Sequence, residues 1–463
     1  MRVGGQGALE AAAERLTAFA SRWLALPGAL PGLAVGLIGP GGWRRELAVG
    51  VADVASGRPL TPDALMPVAS VGKAMTAAAL LREHQAGRLD LDAPVHEHLP
   101  WLPLATPFGP ISVRHLLGHT AGIVTGMEGS PSPYLEALAL AHTPPGWPPG
   151  EKTRYSNVGY AVLGLVLERV AGSSYAEAVR RHVLDPCGMA GSEAVTTAEA
   201  QARAATGHVR LAGGAMVPAP WVPTAAGSGA TLCTAPDLGR FLRAVVAGDP
   251  PLLAPAARED MLTPVLPIPD GGYGYGLGVE LDDQDGYRRV GHQGDCPGYC
   301  SYAFGCPETG VGVVALGNGP WRPPSEEASA WAVVEHGLAL LRAAALGRDL
   351  PPDPPADVPE PAGDPPASPA PARDLPAELA ALAGTYAAWN PWLPQVVVRP
   401  AAGGDGLVLV WPEGDEEPLT PVPGGGFRLG DDPDSPDRVT FQAEVEGRPM
   451  QAVVSGWPFD RVG

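Results

Sequence analysis

Lysine is almost absent from this 463-residue chain: only Lys73 and Lys152 occur, and arginine fills every other basic position. Arginine keeps its proton in any protein and lysine does not, so a surviving lysine is a candidate for proton chemistry. Basic charge as a whole is short, with 31 basic against 50 acidic side chains and a net charge of −19. That balance excludes nucleic acid and anionic membrane surfaces as partners, because both repel an acidic protein at every encounter. Cysteine is scarce too. Cys187, Cys233, Cys296, Cys300 and Cys306 are odd in number and scattered, which excludes a disulfide framework. Long apolar runs are missing: the most apolar early stretch, from Trp23 to Gly39, is broken by Pro27, Pro31 and glycines, so no bilayer span is expected. The N-terminus shows neither the apolar core nor the small-residue cleavage site of an export signal, and a soluble cytoplasmic protein is expected.

What is present is a hydrophobic content of 45%, ample for a core, together with 61 glycines and 55 prolines that mark many turns and linkers. About half of the residues from Pro351 to Pro371 are proline, which no helix interior or sheet ladder accepts. The expected division is a first domain over residues 1–346, a Pro/Ala/Asp-rich linker over 347–375 and a second domain over 376–463. The first domain reads as α/β. Helices are expected at Leu9–Leu26, Val71–Gln85, Val158–Val170, Tyr175–Val183, Asp237–Val246 and Trp331–Ala345. Strands at Leu33–Leu37, Glu46–Val54, Tyr273–Leu281, Tyr287–Gly291, Tyr299–Phe304 and Val311–Leu316 make an antiparallel sheet for them to pack on. The second domain reads as a small all-β barrel, with short runs at Gly384–Trp389, Gln395–Val398, Leu407–Val410, Glu417–Val422, Phe427–Leu429, Val439–Val445 and Pro449–Val454. Much of the acid excess lies in that second half, away from any expected chemistry.

Three elements carry that chemistry. Ser70 and Lys73 stand i, i+3 at the start of the expected Val71 helix, which stacks them on one face. A lysine amine desolvated by the neighbouring Ala and Met is lowered in pKa and can take the serine proton. Tyr155-Ser156-Asn157 follows a Pro/Gly-rich turn and precedes the Val158 helix, a junction that suits either a helix cap or a proton relay through Tyr155. His292-Gln293-Gly294 lies on an expected strand, where glycine lets a substrate backbone approach and histidine offers a hydrogen bond.

In this order and at these separations the three elements resemble the serine β-lactamase and penicillin-binding-protein superfamily, in its class C β-lactamase, esterase and D-aminopeptidase branch. Leu116-Leu117-Gly118-His119-Thr120-Ala121-Gly122 is similar to that family's Leu-Leu-x-His-Thr-Ser-Gly loop, and the likeness extends over about residues 30–345. The resemblance implies a covalent acyl-enzyme on Ser70, with Lys73 as general base and Tyr155 as proton relay. It also implies that Asn157 holds the substrate amide and the Lys73 amine. The backbone amides of Ser70 and Asp295, beside Gly294, would form the oxyanion hole. His292 stands where many relatives carry lysine, which weakens a fixed cationic site and makes efficient β-lactam hydrolysis doubtful. The C-terminal barrel, with Gly384-Thr385-Tyr386 and Asn390-Pro391-Trp392, looks lipocalin-like.

A serine hydrolase acting on small-molecule or peptide acyl substrates is therefore expected. The alternatives are a thioesterase-like peptide cyclase of the same chemistry and a non-catalytic binder. No cofactor and no metal are expected: His115 and His119 have zinc-like spacing without the glutamate of a zinc motif, and Cys296, Cys300 and Cys306 lack paired spacing. Trp389, Trp392 and Trp411 read as packing residues, and Lys152 as solvated. A linker of polyproline geometry lets the barrel dock in cis or swap onto a second copy, so a homo-oligomer is open.

Overall fold

The computed structural model describes residues 5–462, apart from residues 103, 105, 124–131, 143–144, 211–214, 269–271, 285, 321–327, 355–374, 389–394, 403–405, 412–414, 424, 434, 436 and 456. Most of the proline-rich linker, and Trp389, Asn390, Pro391 and Trp392, therefore lie outside the described residues.

The first half of the chain is built on one eight-stranded antiparallel sheet. Its strands in chain order are β1 (Gly32–Ile38), β2 (Arg44–Asp53), β3 (Arg58–Pro59), β4 (Gly274–Tyr275), β5 (Glu280–Gln284), β6 (Tyr287–Cys296), β7 (Tyr299–Cys306) and β8 (Val311–Gly317). They lie side by side in the order β3-β2-β1-β8-β7-β6-β5-β4. The chain thus returns after more than 200 residues to place β8 against β1, with Val35 opposite Ala315. β8 is buried at every position because helices cover both faces. Val313 and Ala315 join one core with α1 (Gln6–Trp23) and α5 (Ala330–Ala345). Val314 and Leu316 point the other way, into the larger core that contains α2 (Gly72–Gln85), α3 (Asn157–Ala171) and α4 (Ala235–Ala247).

Local sequence explains the helix ends. α2 is Ala-rich and buried nearly all round, and Gly87 follows it at φ +70°, the left-handed turn that glycine accepts without cost. The Ser156 hydroxyl accepts the Gly159 amide to open α3, and α4 begins with Thr234 accepting the Asp237 amide.

The second domain is a closed barrel in which β9 (Gly384–Ala387), β10 (Gln395–Pro400), β11 (Leu407–Val410), β12 (Glu416–Pro421), β13 (Phe427–Leu429), β14 (Arg438–Val445), β15 (Arg448–Val454) and β16 (Trp457–Val462) pair in sequence and β16 closes on β9. Alternate side chains such as Val396, Val398, Leu409, Leu419, Val439 and Phe459 fill its interior. Where the linker leaves α5, Asp353 is tied to Arg15, Arg22 and His336.

Three readings need correction. The single strand expected at Tyr273–Leu281 is two short strands, because Leu277–Val279 turns around Gly278 at φ +82°. The helix expected through Val183 changes to a π turn over Arg180–Leu184. The barrel has eight strands, within the seven or eight expected, but the last lies at Trp457–Val462, where none of the expected runs falls. A short helix α6 (Ala377–Leu382) packs on the barrel, with Tyr386 donating to Leu382 O at 2.7 Å.

The double-faced burial of β8 makes a sharp prediction. Leu316→Ala, at a fully buried position, is expected to lower unfolding free energy by about 2–4 kcal/mol in urea titration; a loss below about 1 kcal/mol would contradict this packing.

Candidate active site

The site lies where the start of α2, the start of α3 and strand β6 meet. Ser70 sits in the tight turn Ala69–Val71 that leads into α2, and Ala69 before it holds φ +44°, a strained backbone for a non-glycine residue. Two glycines make that turn possible. A methyl group at Gly229 would lie 2.9 Å from the Ala69 carbonyl carbon. One at Gly294 would lie 2.4 Å from Val68 O and 2.9 Å from the Ser70 amide nitrogen. Strand β6 therefore presses directly against the backbone that carries the nucleophile.

Lys73 follows one turn later and is completely buried. Its Nζ lies 2.9 Å from Ser70 Oγ, 2.5 Å from Asn157 Oδ1 and 2.8 Å from the Ser228 carbonyl. Asn157 and Ser228 present oxygens that only accept. A neutral amine can give its two protons to them and turn its lone pair to the serine hydroxyl. Asn157 is the first residue of α3: Ser156 caps the helix, and Asn157 faces the lysine.

Tyr155 stands just outside that helix, 40% exposed, with Lys73 Nζ 4.7 Å from its ring centre. Its segment is gripped by His119. The Arg154 amide donates to His119 O at 2.7 Å, the Ser156 amide donates to His119 Nδ1 at 3.1 Å, and the two rings lie 4.4 Å apart. His119 is buried, and that burial, the foremost cause, holds its pKa far below the usual 6.5. It stays neutral, its proton on Nε2, so that Nδ1 can accept. His115 meanwhile accepts the Ser112 amide on its own Nδ1.

His292 is buried on β6, its ring centre 6.1 Å from that of Tyr155. Nδ1 lies 2.5 Å from Gln293 O, an acceptor, so it carries the proton, and Nε2 accepts from the Tyr275 hydroxyl at 2.8 Å. Burial first, and Lys73 second, press its pKa down to about 3. Behind it lies Glu280, with Oε1 3.4 Å from His292 Nδ1. Burial raises this carboxyl to about 7, against the opposing hydrogen bonds from Tyr273 and the Gln293 amide. Asp295 is exposed on β6, one residue beyond Gly294 and opposite Cys300 in register.

The sequence-derived set Ser70, Lys73, Tyr155, Asn157, His292, Gly294 and Asp295 is thus gathered at one place. Reading the sequence missed Ser228, Tyr275 and Glu280 and took His119 for a loop residue. Only the Gly227-Ser228-Gly229 run offered a signal, as a place where backbones approach closely. Lys152 is not simply solvated: its Nζ lies 5.4 Å from the Trp147 ring centre. An apolar recess lined by Trp221, Val222, Cys296, Pro297 and Tyr299 shares Gly229 and Pro67 with the backbone around Ser70.

A family model described as beta-lactamase matches residues 18–338. The chain belongs to the beta-lactamase family, within the β-lactamase and penicillin-binding-protein superfamily. Esterase EstB of Burkholderia gladioli is 33% identical over 297 residues, which span 53% of this chain and 74% of the esterase. A D-stereospecific amidohydrolase from Streptomyces superposes at TM-score 0.56 with 26% identity, over 67% of this chain and 96% of that one. The octameric penicillin-binding protein homologue from Pyrococcus abyssi has the same fold over nearly the whole length, with TM-score 0.65, 24% identity and coverage of 96% and 99%. Among the described residues, no helix is long and apolar enough to cross a membrane.

Two outcomes follow. Gly294→Ala pushes a methyl onto Val68 O, Ser301 Oγ and the Ser70 amide, and is expected to cut kcat about a hundredfold while leaving the circular dichroism unchanged; wild-type turnover would refute the contact. Glu280 holds its proton more tightly folded (about 7) than unfolded (4.5), so its contribution to stability is lost as pH rises through that interval. The Tm of Glu280→Gln should therefore gain on wild type between about pH 5 and pH 8, and parallel curves would show the carboxyl to be unperturbed.

Proposed function

We propose that the protein is a serine acyl hydrolase that forms a covalent ester on Ser70 and cleaves ester or amide bonds, including those of D-amino-acid-containing peptides. The observation that carries this reading is the buried Lys73 amine, directed onto Ser70 Oγ by two acceptors that occupy its other valences. Lys73 takes the hydroxyl proton as Oγ attacks the acyl carbon, and the proton passes by way of Tyr155 to the departing oxygen or nitrogen. The Ser70 amide, held against Gly294, and the Asp295 amide receive the developing oxyanion. Water then repeats the sequence in reverse and releases the free acid.

His292 shapes which substrates suit the site. It is neutral at physiological pH, and both ring nitrogens are engaged with Tyr275 and Gln293, so it offers no fixed cation to a substrate carboxylate. β-Lactams, which carry such a carboxylate, are accordingly expected to be poor substrates. The esterase and the D-stereospecific amidohydrolase among the similar proteins support the substrate range.

Brief exposure to p-nitrophenyl acetate, followed by intact-mass measurement, tests the reading. Wild type should gain one acetyl group and release a burst of p-nitrophenol, and Ser70→Ala should do neither. Equal labelling of both proteins, or of neither, would sink the covalent mechanism. Product mass then separates hydrolysis, which yields the free acid, from transfer to an amine.

A further inference from the structure

The barrel reaches the hydrolase domain one residue before Tyr155. Arg154 Nη2 donates to Asp437 Oδ2, across a sequence separation of 283 residues. Asp437 ends the loop between β13 and β14 and is only 8% exposed. Its own domain prepares it for a cation: Ser455 Oγ donates to Oδ1 at 2.9 Å and Ser435 Oγ to Oδ2 at 3.4 Å. Arg438, the next residue, turns instead to the Ser435 and Asp437 carbonyl oxygens. The barrel thus presents an ordered, nearly buried carboxylate, and the guanidinium on it comes from the other domain.

On the hydrolase side the same residue is fixed through its backbone. The Arg154 and Ser156 amides both donate to His119, one to its carbonyl oxygen and one to its ring, so Tyr155 is pinned by its neighbours on either side. His119 itself is held at φ +56°. Tyr155 precedes α3 and gains no rigidity from helical hydrogen bonds of its own. Its ring packs on His119, Tyr275 and His292, its flanking backbone is set by this bracket, and the Arg154 side chain carries the bracket across to the barrel.

We propose that the barrel is a positioning element of the active site: the Asp437–Arg154 ion pair steadies Arg154–Ser156 so that the Tyr155 hydroxyl meets the Ser70–Lys73 pair. Undocking slows proton transfer without removing a reacting group. An exposed ion pair contributes little, but one whose carboxylate is buried and already hydrogen-bonded contributes more, and misplacing a catalytic group by an ångström is costly in rate. The inference rests on the serine hydrolase reading and adds a role for the second domain.

The experiment uses the full-length chain as Arg154→Ala, Arg154→Lys, Asp437→Asn and the Arg154→Ala/Asp437→Asn double variant. p-Nitrophenyl acetate turnover, acetyl-enzyme mass and Tm are measured for each. Expected are a kcat about tenfold lower in Arg154→Ala and in Asp437→Asn with KM nearly unchanged, a double variant no worse than either single one, and partial recovery in Arg154→Lys. The wild-type rate should also fall as salt is raised, whereas that of Arg154→Ala should not. Additive losses, or a lowered Tm with wild-type kcat, would overturn the coupling, and because Arg154 is a partly exposed side chain its variant does not depend on the barrel tolerating a change at Asp437. If no variant loses rate although wild type forms the Ser70 adduct, the barrel's role alone fails. Absence of the adduct in wild type fails the underlying reading and this inference with it.

Discussion

A buried lysine needs every one of its hydrogen-bonding valences filled, and much of the first domain is arranged around meeting that need for Lys73. A cation or amine taken fully out of water is costly unless partners surround it. The partners come from three separate stretches of chain: Ser70 from the turn before α2, Asn157 from the start of α3, and the Ser228 carbonyl from a glycine-flanked loop. Bringing them within 3 Å of one nitrogen demands close approach of backbones, which is why Gly227, Gly229, Gly278 and Gly294 each stand where a methyl group would collide with a neighbour. The small residues and the buried charge are one constraint seen from two sides.

The sheet supplies the rigidity that this constraint requires. β6 lies five strands in from β3, braced by β7 and β8, and α2 and α3 press on the same face. Gly294 meets the Ser70 amide at a distance fixed by the sheet rather than by a loop. The Ser301 hydroxyl, opposite Gly294 on β7, donates to Val68 O at 2.7 Å and ties the nucleophile's turn to the same strands. A serine held this way is oriented in advance, as the proposed acyl transfer would require.

How far the sequence disclosed this can be judged residue by residue. Helices with strong periodicity or clear stops, such as α2 ended by Gly87, were legible nearly to the residue, as were β7, through its aromatic residues, and β8, through its valines. Ser70, Lys73, Tyr155 and Asn157 could be named as candidates because their motifs, in this order and at these separations, together resemble a known family, whereas each motif alone reads as an ordinary helix start or cap. Ser228 contributes a carbonyl, which every residue possesses, so no side-chain identity reveals it. His119, Tyr275 and Glu280 act through contacts made across the fold: His119 meets Ser156, 37 residues on, and Tyr275 meets His292, 17 residues on. The eighth barrel strand, Trp457–Val462, escaped because its Pro458 and Asp460 break the usual strand composition, while closure onto β9 supplies pairing that no local signal shows.

The polar layer behind the nucleophile explains why a histidine serves at position 292. A lysine there would set a second amine near Lys73, in the same dry interior, and protonating either would disfavour protonating the other. Histidine avoids this by staying neutral, as burial and Lys73 both require. Glu280 then faces a neutral ring rather than a cation, and burial leaves its carboxyl poised near 7, with Arg289 and Lys73 only partly offsetting the penalty. Neither ring nitrogen of His292 carries charge, so the far side of the site holds no fixed cation. Under the proposed acyl-hydrolase reading, such a site would suit acyl groups without a carboxylate of their own, met at the strand edge of Gly294 by a tyrosine whose backbone the neighbouring His119 holds.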